Sequence, residues 1–323
     1  MTILQALMNP IASLVLIRIN GGTAMMRILG IVGVQVCICV PIIVFQFCKG
    51  KEFFSKEYWG YALRIGIPIV PHYLSGIILN QGDRIMIDKM VGKTEVALYG
   101  LAYSIGMLVQ LFISGMNSAL TPWMYSKIKK GDIRSMRKVL QLLSIVVVGI
   151  AVALMLISPE LVLIFGSPKY REAVYVIPPV AASVFFIFIY NILSMPQFYY
   201  EKTQFLMAAS MAAAGANVVL NFSFIRLFGY IAAGYTTLAC YMLYSVGHYI
   251  VSKQILVNEG IQENLMNPGF LLACSVFLIG ASIICNLIFP YRILRYAILL
   301  ASAGLVFWKK ELLLKTMADI RKK

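Results

Sequence analysis

The sequence has 323 residues, of which 60% are hydrophobic and only 13% are charged, and its mean hydropathy is +0.84. This composition excludes an ordinary soluble globular domain and indicates a polytopic membrane protein. A net charge of +15 would suggest a nucleic-acid partner for a soluble protein, but here the basic residues lie in short loops between apolar runs. In that position they set the orientation of the spans, so we expect no nucleic-acid partner.

The apolar runs predict an all-α fold with about ten transmembrane helices. They are near the ~20 residues that a helix needs to cross a bilayer, and they lack the short alternation of an outer-membrane barrel. In chain order the predicted spans are residues 2–19, 28–48, 61–80, 96–120, 139–157, 174–196, 204–227, 230–251, 270–289 and 291–308. The loops after even-numbered spans and the C-terminal tail hold more Lys and Arg than the loops on the other side. The positive-inside rule therefore predicts that residues 127–138 and both termini are cytoplasmic.

The third predicted span carries polar and helix-breaking residues inside an apolar run. At helical spacing these residues fall on one narrow stripe, with the histidine at its edge. They are Arg64, Pro68, Pro71, His72 and Ser75. The opposite face holds Ile67, Val70, Leu74, Ile77 and Ile78. We expect the apolar face to contact lipid and the polar face to contact protein or a wet cavity.

Polar stripes also occur in the predicted spans four, seven and eight. Together with the third span they give the candidate cavity-lining residues Arg64, His72, Ser75, Tyr99, Tyr103, Gln110, Asn117, Asn217, Asn221, Tyr241 and His248. In span four the opposite, apolar face includes Leu101, Ile105, Leu108 and Phe112. Close packing of helices through small and amide side chains is the alternative explanation of each stripe. Four such stripes favour a shared hydrated cavity, and tyrosine and amide groups suit a sugar-bearing ligand.

The ionisable residues of the third span leave alternatives open. Arg64 lies near the predicted cytoplasmic end, where it either snorkels to the headgroups or forms an anion site that matches phosphate oxygens. His72 is either a hydrogen-bonded packing residue or a titrating one. Asp83 and Arg84 lie beyond the predicted outer end, where we expect an ion pair of structural importance. The six cysteines lie in apolar segments without metal-ligand spacing, so we expect no disulfide, metal site or cofactor.

Residues 51–130 resemble the lipid-linked oligosaccharide flippases of bacterial polysaccharide synthesis. The resemblance rests on the phrases FFSKEYWGYALRIGIPIVPHYLSGIILNQGDRIMIDKMVG and EVALYGLAYSIGMLVQLFISGMNSALTPWMYSKIKKGD. It implies the multidrug/oligosaccharidyl-lipid/polysaccharide exporter fold, in which two six-helix lobes face each other across a cavity. It also implies that the third span here is the seventh of a full transporter, so that the four N-terminal spans of the family are missing.

On that basis the expected organisation is one complete six-helix lobe plus remnants of the first. Residues 1–48 would be the last two helices of an incomplete first lobe, and residues 49–60 a cytoplasmic interlobe loop. Residues 61–252 would form the second lobe, residues 253–308 two additional helices, and residues 309–323 a basic cytoplasmic tail.

The resemblance implies a transporter and not an enzyme. Its implied role is to move a polyprenyl-pyrophosphate-linked oligosaccharide from the inner to the outer leaflet of the bacterial inner membrane, the chain being either a flippase itself or a truncated, non-autonomous form of one. Its expected partners are that glycolipid, membrane lipids, and the polymerase and glycosyltransferases of the same pathway. One alternative is a cation-coupled multidrug antiporter, which needs an acidic residue well inside a span, and the predicted spans hold none. Another is a membrane-embedded polysaccharide-modifying enzyme, which would need a long outer loop or a His and Asp cluster.

Overall fold

The protein is described by a computed structural model that covers residues 2–19, 24–51 and 54–308. Within those residues it is built of helices and has no β-strand. The helices are α1 (Thr2–Ile19), α2 (Ala24–Gly50), α3 (Lys56–Met90), α4 (Lys93–Gly106), α5 (Leu108–Lys129), α6 (Ile133–Phe165), α7 (Ile177–Tyr199), α8 (Thr203–Phe228), α9 (Ile231–Asn258), α10 (Pro268–Ile288) and α11 (Arg292–Trp308). A 3₁₀ helix, Pro168–Val176, precedes α7. The predicted basic tail, residues 309–323, lies outside the described residues.

The predicted class, an all-α polytopic membrane protein, is confirmed. In the described part of the chain, seven helical segments are long and apolar enough to cross a membrane: Met25–Gly50, Lys56–Met90, Lys93–Lys129, Ile133–Phe165, Pro168–Tyr199, Thr203–Phe228 and Pro268–Ile288. The other three predicted spans are also helical but fall outside this set. Leu7–Ile19 is a shorter apolar helix, α11 has 17 residues, and α9 carries many polar side chains. Length and composition therefore support seven spans, fewer than the ten predicted.

Helix α3 differs most from its predicted bounds. It has 35 residues and continues through both internal prolines, Pro68 and Pro71, to Met90. At 1.5 Å per residue it is about 52 Å long, well beyond the thickness of the hydrocarbon region. Residues 81–88, expected to follow the span, are therefore part of the same helix.

The predicted fourth span is divided into two helices. Helix α4 ends at Gly106, Met107 is a turn, and α5 begins at Leu108. The amide of Met107 still donates to the carbonyl oxygen of Tyr103 at 2.9 Å, so the chain continues in nearly the same direction. Backbone interruptions of this kind are tolerated at membrane depth where protein or a cavity surrounds them.

The chain divides into two compact units, residues 1–64 and residues 65–323. In the first unit α1 packs against α2. Gly30 lies so close to α1 that a Cβ atom on it would be 2.7 Å from the Cα of Ser13. Many apolar side chains of both helices are exposed, as lipid contact requires, and Leu7 and Leu14 are examples.

In the second unit α7 is the central helix. Nearly all its residues are buried, and α4, α5, α6, α8, α9 and α10 all contact it. Its apolar side chains, including Phe185 and Phe188, form the core. The surrounding helices each expose an apolar face, and Leu74 of α3 and Phe112 of α5 lie on such faces as predicted. This arrangement turns the polar faces of α3, α4, α8 and α9 toward the interior.

Candidate functional site

Four helices of the second unit bring polar residues together because each carries them at helical spacing. Residues three or four positions apart lie on one face of a helix. The pairs are Asn80 and Asp83 on α3, Tyr99 and Tyr103 on α4, Asn217 and Asn221 on α8, and Thr237 and Tyr241 on α9. Because these faces meet, the side chains form a hydrogen-bonded group inside the helix bundle.

Asp83 is the centre of this group and is fully buried. Its Oδ2 accepts hydrogen bonds from the hydroxyl of Tyr99 at 2.5 Å and from the hydroxyl of Thr237 at 2.7 Å. Its Oδ1 accepts one from Nδ2 of Asn221 at 2.6 Å, and that amide also donates to Oδ1 of Asn217 at 3.1 Å. The hydroxyl of Thr236 donates to Oδ1 of Asn221. We call these six residues the Asp83 cluster.

The expected ion pair of Asp83 and Arg84 was wrong. Adjacent residues of a helix point about 100° apart and do not face each other. Asp83 points into the bundle, whereas Arg84 lies along the wall of the cavity described below and donates to Oε1 of Gln81 at 3.1 Å. The expectation failed because the predicted span ended at residue 80, which placed both residues in a loop.

Asn80 lies one turn before Asp83 on α3 and belongs to the wall of the polar cavity described below. Its Oδ1 accepts hydrogen bonds from the hydroxyls of Tyr103 at 2.7 Å and Tyr241 at 3.1 Å, and its Nδ2 donates to the carbonyl oxygen of Gly76 at 2.7 Å. The ring of Tyr103 also lies beside that of Tyr99, with centroids 5.8 Å apart. Asn80 thus holds α3, α4 and α9 in register at the cavity wall.

A second group, the tyrosine–histidine cluster, joins α3, α7 and α9. It consists of His72, Tyr190, Tyr241, Tyr244 and His248. The hydroxyl of Tyr244 is 3.1 Å from Nδ1 of His72, and its ring is 4.5 Å from those of Tyr190 and His248. His248 is fully buried, with Nδ1 2.8 Å from the amide nitrogen of Gln197 and Nε2 without a hydrogen-bond partner.

A polar cavity of about 760 Å³ lies against the tyrosine–histidine cluster, four of whose members line it. Its walls come from α3, α4, the Met107 turn, α5, α7 and α9. The lining residues are His72, Tyr73, Gly76, Ile77, Leu79, Asn80, Gln81, Arg84, Tyr103, Ser104, Met107, Gln110, Tyr190, Asn191, Ser194, Phe198, Tyr241 and Tyr244. The wall therefore offers amide and hydroxyl groups for hydrogen bonds, aromatic faces for stacking, and one guanidinium.

The structure places four of the candidate residues in this wall, namely His72, Tyr103, Gln110 and Tyr241. Tyr99, Asn217 and Asn221 are buried in the Asp83 cluster, and His248 is buried behind Tyr244. All eight were expected to line the cavity. The last four hold its wall and do not form its surface, because helical spacing gives the direction of a side chain but not its distance from a cavity.

The remaining candidates are not among the residues that line the cavity. Ser75 is buried, and its hydroxyl donates to the carbonyl oxygen of Pro71 at 2.7 Å within α3, so it is satisfied by its own helix. Asn117 is half-buried on α5, with its Oδ1 unpaired. Arg64 is exposed and belongs to the first unit. Its role as an anion site stays a prediction.

Sequence patterns missed the contribution of α7. Tyr190, Asn191 and Ser194 line the cavity, yet α7 is so apolar on every side that it showed no polar stripe. The adjacent pair Tyr190 and Asn191, followed by Ser194 one turn later, was the available signal. Asn80 was missed because it was taken as the last residue of its span. Ile105, expected on a lipid face, is buried against the core.

The chemistry of the cavity suits binding more than covalent catalysis. In the described ranges no group of three or more His, Cys, Asp and Glu side chains could hold a metal ion. The ionisable side chains that line the cavity are those of tyrosine, histidine and Arg84. Neutral hydrogen-bonding groups and aromatic faces are what a hydroxyl-rich ligand requires.

Two family models match the chain. The polysaccharide biosynthesis protein family matches residues 1–129, and the MatE family matches residues 68–223. The two ranges overlap in α3, α4 and α5, which form much of the cavity wall. Both matches therefore include the segment that builds much of the cavity wall.

Curated relatives come from Haemophilus influenzae. "Lsg locus putative protein 1" is 28% identical over 195 residues, which is 56% of this chain and 47% of that protein. "Uncharacterized membrane protein" is 29% identical over 191 residues, which is 55% of this chain and 46% of that protein. The matches thus span about half the length of these relatives, and no solved structure matches significantly. Taken with the two family models and the helical, membrane-spanning architecture, these matches show that the chain belongs to the multidrug/oligosaccharidyl-lipid/polysaccharide exporter superfamily.

Proposed function

We propose that this chain acts in the transfer of a polyprenyl-pyrophosphate-linked oligosaccharide from the inner to the outer leaflet of a bacterial inner membrane. The polar cavity, inside a protein with a polysaccharide biosynthesis family match, is the observation that carries the proposal. The barrier to such transfer is the passage of a hydroxyl-rich head and a charged diphosphate through hydrocarbon. A cavity that replaces their hydration lowers this barrier while the lipid tail stays in the membrane, and no covalent step is needed.

The composition of the wall supports a sugar as the polar part of the cargo. Asn191 and Gln110 carry amides that both donate and accept hydrogen bonds. Tyr73 and Tyr190 add aromatic rings, against which the apolar face of a sugar ring can pack. A cavity of about 760 Å³ falls in the size range of small-ligand sites, large enough for a short run of sugars.

The test is production of surface polysaccharide by a flippase-null strain that expresses the chain. Gln110→Leu removes an amide from the cavity wall, and we expect it to lower polymer per unit of membrane protein by about fivefold, since one lost hydrogen bond of this kind is worth on the order of 1 kcal/mol. Ser118→Leu on the same helix is the control, because Ser118 is exposed and bonds only within α5. Equal polymer from Gln110→Leu and the unmodified chain would refute a role for the cavity.

A cation-coupled antiporter is the second candidate, and Asp83 favours it. The predicted spans contained no interior carboxylate, which disfavoured an antiporter. The structure overturns that premise, since Asp83 lies inside α3 and is fully buried. The hydroxyl oxygen of Thr237 lies 2.7 Å from Oδ2 of Asp83, and an ionisable group inside a membrane helix is a functional hypothesis by default.

Transport of a cationic dye separates this candidate from the first. In membrane vesicles, a cation-coupled antiporter should expel ethidium when a sodium or proton gradient is imposed, and Asp83→Asn should abolish that coupling by removing the charge. A flippase without drug transport should show the same ethidium accumulation with and without the gradient. That second result would remove the antiporter candidate.

A further inference from the structure

Arg84 occupies an unusual position in the wall of the polar cavity. Its guanidinium lies over the ring of Tyr103, 5.3 Å from the centroid, and its Nη1 donates to Oε1 of Gln81 at 3.1 Å. Its Nε is buried and has no hydrogen-bond partner. A guanidinium carries five N–H donors, so one neutral acceptor leaves most of them without a partner in the structure.

The charge of Arg84 has no counterion in the described part of the chain. The residues that line the cavity include no Asp or Glu. Asp83 points away from it and accepts hydrogen bonds from Tyr99, Asn221 and Thr237. The ion pairs found among the described residues involve other arginines and lysines. Arg84 therefore carries the one fixed charge among the residues that line the cavity.

Placing an arginine side chain on a membrane helix costs free energy unless its charge has a partner. Two other arginines of this protein have such a partner, since Arg295 pairs with Glu160 and Arg137 with Glu263. Arg84 is instead held in place by neutral contacts, an aromatic ring below and one amide oxygen beside it. Such contacts fix the orientation of the guanidinium but do not neutralise its charge, so an anionic ligand can pair with it.

We propose that Arg84 is the anion-binding residue of the cavity and that it grips the oxyanion group of the transported molecule. The planar fork of arginine matches two oxygens of a phosphate or a carboxylate, with Tyr103 and Gln81 positioning it. The inference rests on the proposed transport function and adds the chemistry of its substrate. Two sources supply this chemistry, namely the diphosphate linker of the glycolipid and the carboxylate of an acidic sugar.

The experiment is calorimetric binding to the purified chain in detergent with two pairs of probes. Geranyl diphosphate is compared with geraniol, and methyl glucuronide with methyl glucoside, so that each pair differs by the anionic group. The variants are Arg84→Gln, Arg84→Lys and Arg226→Gln. Arg226 is the matched control, because it also lies over an aromatic ring, 3.8 Å from the centroid of Phe222, but it is exposed on α8 and does not line the cavity.

We expect the unmodified chain to bind one anionic probe more tightly than its uncharged counterpart. Arg84→Gln should lose that preference, with a fall in affinity of about 10- to 100-fold, as for a charge-assisted hydrogen bond. Arg84→Lys should keep part of it, since it keeps the charge and loses the fork, and Arg226→Gln should bind like the unmodified chain. All variants are first checked for the same gel-filtration profile and melting temperature.

The two probe pairs distinguish the sources of the anion. A preference for geranyl diphosphate that depends on Arg84 supports the diphosphate linker, and one for methyl glucuronide supports an acidic sugar. Binding of both anionic probes by Arg84→Gln at unmodified affinity, or no preference in the unmodified chain, would overturn the proposal. Those results leave the flippase proposal intact, since the polysaccharide assay with Gln110→Leu tests that proposal by transport and not by anion binding.

Discussion

At the scale of single residues, the burial of Asp83 is the feature that most constrains the protein. A buried carboxylate is expensive unless hydrogen bonds replace its hydration. Here three neutral donors from three other helices supply them: Tyr99 from α4, Asn221 from α8 and Thr237 from α9. The same contacts that satisfy the carboxylate also tie four helices together, so its removal affects the bundle as a whole.

We therefore expect Asp83→Ala to destabilise the protein strongly. The substitution strands the amide donor of Asn221 and two hydroxyls and opens a void, for which we expect a loss on the order of 3 kcal/mol. The measurement is the thermal unfolding of purified protein in detergent. Ser75→Ala on the same helix is the control, because its hydroxyl bonds only to a carbonyl oxygen of α3. Equal melting temperatures for the two variants would contradict a structural role for the cluster.

At the scale of helices, the junction of α4 and α5 depends on close packing against α7. A Cβ atom added to Gly106 would lie 2.6 Å from Cγ1 and 2.9 Å from Cβ of Val180, so the side chain of Val180 or one of the two helices must shift. The junction therefore fits only a residue without a side chain at this position. Ser104, Met107 and Gln110 line the cavity on either side of it, so the packing also sets the position of that wall.

Gly106→Ala should accordingly be destabilising, by about 1 to 3 kcal/mol, as for overpacking in other cores. Gly115→Ala on α5 is the matched control, since a Cβ atom there meets nothing within 4 Å. Thermal unfolding of both variants compares them directly. Val180→Ala should restore part of the stability of Gly106→Ala by making room for the new methyl group. A Gly106→Ala variant as stable as Gly115→Ala would show that the junction is loosely packed.

An ion pair fastens α11 to α6. Nη1 and Nη2 of Arg295 each lie 2.8 Å from one carboxylate oxygen of Glu160, and the hydroxyl of Tyr296 donates to the same carboxylate at 3.0 Å. The side chain of Arg295 is only 3% exposed. This ion pair differs from that of Arg137 and Glu263, in which the nitrogen and the oxygen are 3.7 Å apart and the side chains are 28% and 49% exposed.

We expect the loss of these two ion pairs to change the stability of the protein by different amounts. Glu160→Ala leaves a buried guanidinium without its partner and should destabilise the protein by about 3 to 5 kcal/mol. Glu263→Ala removes an exposed partner and should change the stability by less than about 1 kcal/mol. Thermal unfolding at low and high salt measures both, and salt should affect only the exposed pair. Similar small losses of stability from both substitutions would show that α11 is not held by the pair of Arg295 and Glu160.

Sequence patterns predicted the elements whose polar and apolar faces are distinct. The pairs Tyr99 and Tyr103 on α4 and Asn217 and Asn221 on α8 were identified because i, i+4 spacing places them on one face. The pattern could not locate Asp83, because the length of α3 is set by packing and exceeds the hydrocarbon thickness. It also could not show α7 as part of the site, since a helix buried on every side has no amphipathic stripe.

At the scale of the whole molecule, orientation in the membrane remains the main expectation that follows from charge. The excess of Lys and Arg predicts that residues 127–138 face the cytoplasm. A reporter fused within that segment should read cytoplasmic, and one fused between residues 158 and 172 should read external. The opposite result at both sites would invert the transport direction that we propose.

Reconstituted transfer of a glycolipid across a bilayer tests the flippase proposal most directly. A fluorescent prenyl-diphosphate oligosaccharide is placed in both leaflets of sealed liposomes, and an external glycosidase is added to trim the sugars that reach the outer leaflet. Without protein, about half of the glycolipid should stay protected, because a polar head does not cross hydrocarbon unaided. We expect the chain to expose the protected half to the enzyme and Gln110→Leu to slow this step. A protected fraction that is the same with and without the chain would contradict the account.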